Sequence, residues 1–492
     1  MVKLSLPLLL LPATAAYEFQ TARQQTATAV YEYQTLYYNQ TLDHTQPFHP
    51  SQARWSHRYL LNDEFWSRPA DEDLMGSSSC PGPIMFYTGN EGPVDGFWSG
   101  NGFMMEMAES WGGLIVFGEE RYYGESIPSE DYSFMSTQQV LEDYVELLDF
   151  VKNEYNAQEC PVIAFGGSYG GTLTTFFRAG YPHAVQGGLA SSAPVGNYDP
   201  DGWSDHGVDS YTFSDIIVKQ YTDADPKCLE KIWAATDALN SATSQDLVSA
   251  FNLCDATGLG PSSQSELFLY GLEGLPQLNY PYEIGSMPAW PVQAACDMLV
   301  ASGDDVEDLI KSSAVVTAMA LGYSLDGQCF ETLDEGPGNV PGDGPGEGPW
   351  GYQSCTETLH LFNSRGPDSG GIRSYKFDME KVRSICSDTW GDVQPNPTAL
   401  TERYGGYRLG DGLVDVSNII WSVGDIDPWG GGCFHPEYAK EDAEANGLYY
   451  FPIEKGAHHY DLRGKHDDDT ESVTEVREKE REIIKSWIVD FV

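Results

Sequence analysis

The chain has 492 residues and sets 74 Asp and Glu against 27 Lys and Arg, a formal net charge of −47 at neutral pH. A surface this acidic repels phosphate backbones and anionic headgroups, so nucleic acid is excluded as an expected partner and membrane surfaces are disfavoured. With 41% hydrophobic and 13% aromatic residues, overall disorder is excluded too, and the length asks for about two to three domain-sized units. The acidity fits either of two settings, a low-pH compartment that protonates many carboxylates or a salty exterior that demands a strongly solvated surface.

Residues 1–16 read as an export signal: Lys3, an apolar run from Leu4 to Leu11 broken only by Ser5 and Pro7, then the small residues Ala13-Thr14-Ala15-Ala16. No later stretch has the roughly 18 uninterrupted apolar residues of a membrane span, so no membrane anchor is expected. The secretory pathway is the expected route, ending in a lysosome, a vacuole or the exterior. Asn39-Gln40-Thr41 is a glycosylation sequon. None of the nine cysteines lies in a C-x-x-C pair, which argues against a zinc ribbon. In an oxidising compartment they should form disulfides, with at least one left over.

Ile84–Tyr87, Leu114–Phe117 and Val162–Phe165 are short apolar runs that end in or just before Gly, the pattern of strands buried on both faces of a parallel sheet. Between the second and third, Val140, Leu141, Tyr144, Leu147, Leu148 and Val151 recur at helical spacing within 137–151. Strand, helix and strand make a βαβ unit and predict an α/β sheet. Residues 200–330 have helical periodicity without that alternation. The segment 334–351 is dominated by Gly, Pro and acid and is predicted to be a flexible loop without helix or strand. Strand patterns return at 418–423 and 448–453. The closing helix shows a capping box at Ser472-Val473-Thr474-Glu475 and a stripe of Val476, Ile483, Ile484, Trp487, Ile488 and Phe491. The expected organisation is a body in two pieces, 17–195 and 396–492, with a mainly helical cap inserted at 196–395.

Gly166-Gly167-Ser168-Tyr169-Gly170 contains G-x-S-x-G directly after a predicted strand and before a predicted helix, the context of a nucleophile elbow in an α/β-hydrolase fold. Ser168 is the candidate nucleophile, and the Tyr169 N–H a candidate oxyanion donor. A second donor is expected from the loop Gly89-Asn90-Glu91-Gly92, at Gly92 or its neighbour. In this fold an acid and then a histidine follow the serine in chain order. Asp425 and Asp427 follow the strand ending at Val423, and His458 and His459 follow the strand ending at Ile453. Neighbouring histidines rarely face one ligand and no third ligand lies nearby, so no metal or other cofactor is expected. In the resulting scheme His458 takes the Ser168 proton and later protonates the leaving amine. Asp427 holds the imidazole tautomer, backbone amides stabilise the oxyanion, and water hydrolyses the acyl-enzyme.

These residues resemble the serine peptidase family of lysosomal Pro-X carboxypeptidase and dipeptidyl-peptidase II. The resemblance is carried by Phe86–Gly92, Glu119–Ser126, Gly166–Gly171, Tyr181-Pro182-His183, Pro288–Pro291, Cys355-Thr356-Glu357, Asp427-Pro428-Trp429 and Gly456–Arg463. It implies Ser168, Asp427 and His458 as the triad, a helical cap, and exopeptidase cleavage of peptides next to proline in acidic compartments. It also implies the disulfides Cys228–Cys296, Cys254–Cys329 and Cys355–Cys386. A fourth, Cys80–Cys160, follows from the sheet: each cysteine stands just before one of two strands expected to be parallel neighbours, about 4.8 Å apart. Cys433 is then left over.

The chain departs from the family pattern at Glu120, where His is usual, at Val423, where Asn is usual, and at Thr172, where a bulky Met is usual. Thr172 is expected to widen the pocket beside proline, and Trp429 to form an apolar wall of it. A carboxypeptidase needs a cation for the substrate carboxylate, for which Arg463 is the candidate unless it pairs with Asp461. A dipeptidyl peptidase needs an anion for the substrate ammonium, for which Glu91 is the candidate. The stretch Leu361-Phe362-Asn363 lacks a cysteine found in carboxypeptidase-like members, which leans the reading toward the dipeptidyl branch. The competing readings are an esterase or lipase on the same fold and a catalytically dead binding protein. The assembly state is left open, a homodimer included.

Overall fold

The computed structural model describes residues 31–46, 53–66, 72–75, 80–196, 210–256, 261–329, 344–406, 409, 416–435 and 443–492. The expected export signal and the part of the Gly/Pro loop at 334–343 lie outside the described residues.

Eight strands form one sheet in the order β1-β2-β4-β3-β5-β6-β7-β8. They are β1 (Gln34–Thr41), β2 (Arg54–Asn62), β3 (Ile84–Tyr87), β4 (Leu114–Gly118), β5 (Val162–Gly167), β6 (Gly187–Ser191), β7 (Ile419–Gly424) and β8 (Leu448–Ile453). β2 pairs antiparallel with β1 and β4, and every pairing from β4 to β8 is parallel. All side chains of β3, β4 and β5 are buried, which is why these strands read as continuous apolar runs. Together with α1 (Thr137–Glu154) and α2 (Tyr169–Gly180) the sheet forms the body of an α/β-hydrolase fold.

β6 carries no such run. A Cβ on Gly187 would lie 2.1 Å from the Trp487 ring, and one on Gly188 2.8 Å from Thr174 Cγ2. Helices press directly on this strand, so glycine stands where a β-branched residue would have announced it.

All eight strands fall outside 196–395. Between β6 and β7 lie α3 (Thr212–Ala224), α4 (Cys228–Ser241), α5 (Pro261–Gly274), α6 (Pro291–Ala301) and α7 (Val306–Leu321), followed by α8 (Gly348–Thr356) and α9 (Met379–Trp390). The first five helices pack around their own core, including Phe213, Ile217, Phe268, Leu272 and Leu299, and the body contributes Trp429 to it.

Helix α8 corrects the expectation that no helix begins before residue 351. Pro349 sits in its first turn, where the missing N–H costs nothing. The Trp390 indole donates to Gly346 O at 2.9 Å, and the Cys355–Cys386 bridge ties α8 to α9. The closing helix, α10 (Glu471–Phe491), is capped by Thr470, whose side chain accepts from the Val473 N–H, rather than by Ser472. The Ser472 hydroxyl instead accepts from the Glu454 N–H.

Disulfides join Cys80–Cys160, Cys228–Cys296, Cys254–Cys329 and Cys355–Cys386, the four pairs named from the sequence, while Cys433 is free and buried. Ile84 and Val162 are partners across β3 and β5, which brings the cysteines before them to a Cα separation of 5.5 Å. Among the described residues no helix is long and apolar enough to cross a membrane.

Candidate active site

Ser168 ends β5 and opens α2 with φ 57° and ψ −127°, a backbone conformation that L residues rarely adopt. Close packing of the turn explains its glycines. A Cβ on Gly166 would lie 2.2 Å from Gly170 O, and one on Gly170 would lie 2.4 Å from Gly89 O and 2.5 Å from Asn90 Oδ1. The Ser168 N–H donates to Ser191 O at 2.9 Å, and the Asn90 side-chain amide donates to Gly167 O at 2.9 Å. Sheet and oxyanion loop therefore hold the turn from both sides. Tyr169 is the first residue of the helix, where amide groups have no carbonyl of their own helix to meet.

The acid and the imidazole arrive on neighbouring strands. Asp427, fully buried after β7, caps a short 3-10 turn and accepts from the Trp429 N–H at 3.0 Å. His458, after β8, places Nδ1 3.0 and 2.9 Å from the two Asp427 oxygens. With Nδ1 facing a carboxylate, the ring proton belongs on Nδ1 and Nε2 is left to accept. Asp425 is not in this pair. The loop of His458 and His459 rests on the elbow: a Cβ on Gly167 would lie 3.1 Å from His459 Cγ, and the His459 N–H donates to Ser192 Oγ at 2.8 Å. The structure thus gathers Ser168, Asp427 and His458 at the carboxyl ends of β5, β7 and β8, where ligands bind in open α/β sheets.

A grip on this centre was not foreseen from sequence. The cap segment that follows α5 donates the Tyr280 hydroxyl to His458 O at 2.5 Å and accepts the His458 N–H on Gln277 O at 3.2 Å. The Gln277 side chain also accepts from the Trp429 indole at 3.1 Å. One cap segment therefore holds both the acid loop and the base loop. Its partners lie 152 to 181 residues away in the chain, which is why no local pattern marks it.

Aromatic groups make one side of the site. Trp429 lies edge-on to Phe213 and His360, with centroids 5.1 Å away in each case, and 6.1 Å from the His458 ring. His360 stacks on Phe362, and Trp350 meets Tyr169 edge-on at 5.1 Å. Burial pushes the His360 ring down to a pKa of about 3, so it stays neutral. Thr172 is fully buried in α2, and its hydroxyl has no hydrogen-bond partner among the described residues.

Two expected roles change. The Gly92 N–H donates to Asn90 O at 2.8 Å within a tight turn, so it is committed there rather than offered to an oxyanion. Arg463 does not pair with Asp461, whose oxygens accept from Ser191 Oγ at 2.5 Å and Ser422 Oγ at 2.7 Å. The Arg463 guanidinium is buried instead, over the Tyr280 ring at 4.7 Å, with Nε donating to the Tyr282 hydroxyl at 3.2 Å. Glu91 is half-buried beside the elbow, with Asn90 Nδ2 3.3 Å from its Oε2, and burial above all raises its carboxyl pKa. Asn39 lies exposed on edge strand β1. Among the described residues no cluster of His, Cys, Asp or Glu is arranged to hold a metal.

The strand order, the elbow after β5, and the acid and imidazole loops after β7 and β8 define an α/β-hydrolase. The family model described as serine carboxypeptidase S28 matches residues 40–480. The chain belongs to that family and is a serine-type peptidase. It is 32% identical to human lysosomal Pro-X carboxypeptidase over 479 residues, covering 93% of this chain and 89% of that one. It is 34% identical to prolyl carboxy peptidase like protein 5 of Caenorhabditis elegans over 430 residues, with 83% of each chain covered. Among solved structures, an esterase from Pyrobaculum calidifontis is 9% identical, with 97% of this chain and 90% of that chain covered and a TM-score of 0.37. The carboxylesterase EstE1, from a metagenomic library, is also 9% identical, with coverages of 97% and 95% and a TM-score of 0.39. Likenesses this low carry no argument about the site.

Proposed function

We propose that the protein is a serine exopeptidase that hydrolyses peptide bonds next to proline through an acyl-enzyme. The observation that carries this reading is the buried Asp427–His458 pair on the loops beside the strained elbow of Ser168. Ser168 Oγ attacks the scissile carbonyl as its proton passes to His458 Nε2, and the same proton then goes to the leaving amine. The Asp427 carboxylate holds the imidazole and balances its charge once protonated. The Tyr169 N–H meets the oxyanion, and the loop Gly89-Asn90-Glu91-Gly92 supplies the second donor. The flat walls of Trp429, Phe362 and His360 suit a pyrrolidine ring, and Thr172 leaves room beside it.

Two readings divide over which end of the substrate is held. The relatives' names favour a Pro-X carboxypeptidase. The charge of the site favours a free substrate amine, because Glu91 stands at the elbow while Arg463 is stacked between tyrosines. Four disulfides, the exposed Asn39 sequon and the lysosomal relatives support a secretory-pathway product in a lysosome, vacuole or the exterior.

The test is hydrolysis at pH 5 of a Lys-Pro fluorophore with a free amine and of an N-blocked peptide ending in Pro-Phe, by wild type and Ser168→Ala. Serine-dependent cleavage of the first alone makes it a dipeptidyl peptidase, and of the second alone a Pro-X carboxypeptidase. Cleavage of a short ester with neither peptide cut refutes the exopeptidase reading.

A further inference from the structure

Glu120, just past β4, is completely buried. Its Oε1 accepts from the Tyr169 hydroxyl at 3.0 Å and from Gln353 Nε2 at 2.9 Å. Its Oε2 has no hydrogen-bond partner among the described residues. Gln353 belongs to α8 of the cap, and its side-chain amide oxygen Oε1 accepts from the Tyr123 hydroxyl. The free oxygen therefore sits where cap and body meet, one side chain away from the residue that follows the nucleophile.

The charges around it are unusual for this chain. Three buried acids are paired with an arginine: Glu119 with Arg58, Asp143 with Arg121 and Glu273 with Arg373. Glu120 has none. Its charged neighbours are Glu91 and Glu357; burial above all, and then those two charges, hold its carboxyl well above the ordinary range. Glu357 is satisfied, accepting from the Thr137 N–H at 2.7 Å and the Thr137 hydroxyl at 2.9 Å. Glu91 accepts from Asn90 Nδ2 at 3.3 Å and from its own backbone N–H. A buried carboxyl without a counter-charge is costly, and one cation with N–H donors would satisfy the open oxygen and offset the repulsion together. Among the described residues no cation faces this oxygen, and a substrate ammonium has the charge and the donors to do so.

We propose that Glu120, with Glu91 beside it, is a cation-selecting site of the peptidase, taking an ammonium group of the substrate on its open Oε2. The inference rests on the exopeptidase reading but not on either branch of it. The ammonium is the α-amine of a dipeptidyl substrate or the side chain of a lysine near the scissile bond. The resulting charge-assisted hydrogen bond sets which peptides bind, and the chemistry at Ser168 is unaltered by it.

The experiment measures KM and kcat at pH 5 for Lys-Pro and norleucine-Pro fluorophores, each with a free and an acetylated α-amine, and for N-blocked Lys-Pro-Phe and norleucine-Pro-Phe. Wild type is expected to favour a cationic member of the panel over its neutral twin by about 10- to 100-fold in KM. Whether α-acetylation or the lysine-to-norleucine change removes the preference identifies the source of the ammonium. Glu120→Gln should abolish the preference, and Glu120→Asp, which keeps the charge, should retain part of it. The inference is overturned if wild type shows no preference, or if Glu120→Gln leaves it intact. If no proline substrate is cut in a Ser168-dependent way, the exopeptidase reading fails separately. Calorimetric titration of Lys-Pro dipeptide into Ser168→Ala, with and without Glu120→Gln, then decides the site: binding lost with Glu120 upholds it, and unchanged or absent binding overturns it.

Discussion

Replacing Asp427 by Asn tests the proposed chemistry at the point where the structure is most specific. Asp427 Oδ1 accepts from the Trp429 N–H at 3.0 Å and lies 3.0 Å from His458 Nδ1, while Oδ2 faces the same Nδ1 at 2.9 Å. An Asn side chain has one acceptor. Keeping it on the Trp429 N–H turns the NH2 group toward His458 Nδ1. That nitrogen must then accept, which moves the ring proton to Nε2, the atom that has to receive the Ser168 proton. Shape and burial barely change, so the fold should survive while the wrong tautomer dominates. The expected loss in kcat is about 10⁴-fold, or about 5.5 kcal/mol of transition-state stabilisation. The assay is steady-state hydrolysis of whichever proline substrate wild type cuts, alongside thermal melting. A folded Asp427→Asn variant within tenfold of wild-type kcat would refute the assignment of Asp427 as the partner of the base.

Two further outcomes follow from the site's surroundings. Glu480 on α10 is fully buried and is an electrostatic neighbour of Asp461. Burial first, and then the Asp461 charge, raise its pKa well above the ordinary value, and burial raises Asp461 likewise. Both acids bind protons more tightly folded than unfolded, so their stabilisation is complete below about pH 4, the unfolded values, and is lost as pH rises through the folded ones. Melting temperature should therefore fall from acid toward neutral pH, and Glu480→Gln should flatten that fall; an unchanged slope would contradict the account. Tyr280→Phe removes the hydroxyl that holds His458 O, and should lower kcat about tenfold or more with little change in KM; equal changes in KM and kcat/KM would assign Tyr280 to substrate binding instead.

Much of the centre was legible because its pieces are local. G-x-S-x-G, the aspartate loop and the His-His loop each follow an apolar strand, and a parallel sheet buried on both faces writes such strands as unbroken runs. The antiparallel strands β1 and β2 lack that signature, since β1, at the sheet edge, is largely exposed and β2 begins with polar and basic residues. Helix α8 hid in a Gly- and Pro-rich stretch because its stability comes from a disulfide and from Trp390, not from propensity. The roles misassigned to Gly92 and Arg463 are the ones that depend on where a single N–H or guanidinium points. Such direction is set by tertiary neighbours, and no spacing in the chain encodes it.

The Gln277 and Tyr280 grip on His458 has a consequence for biosynthesis. The last β-strands and the base loop emerge from the ribosome after the whole cap has been made, and the loop finds its support only on a cap already collapsed around its own core. A nascent or half-folded molecule can present the serine turn, yet its imidazole has no fixed seat. The seat of the imidazole is therefore completed only when cap and body have met.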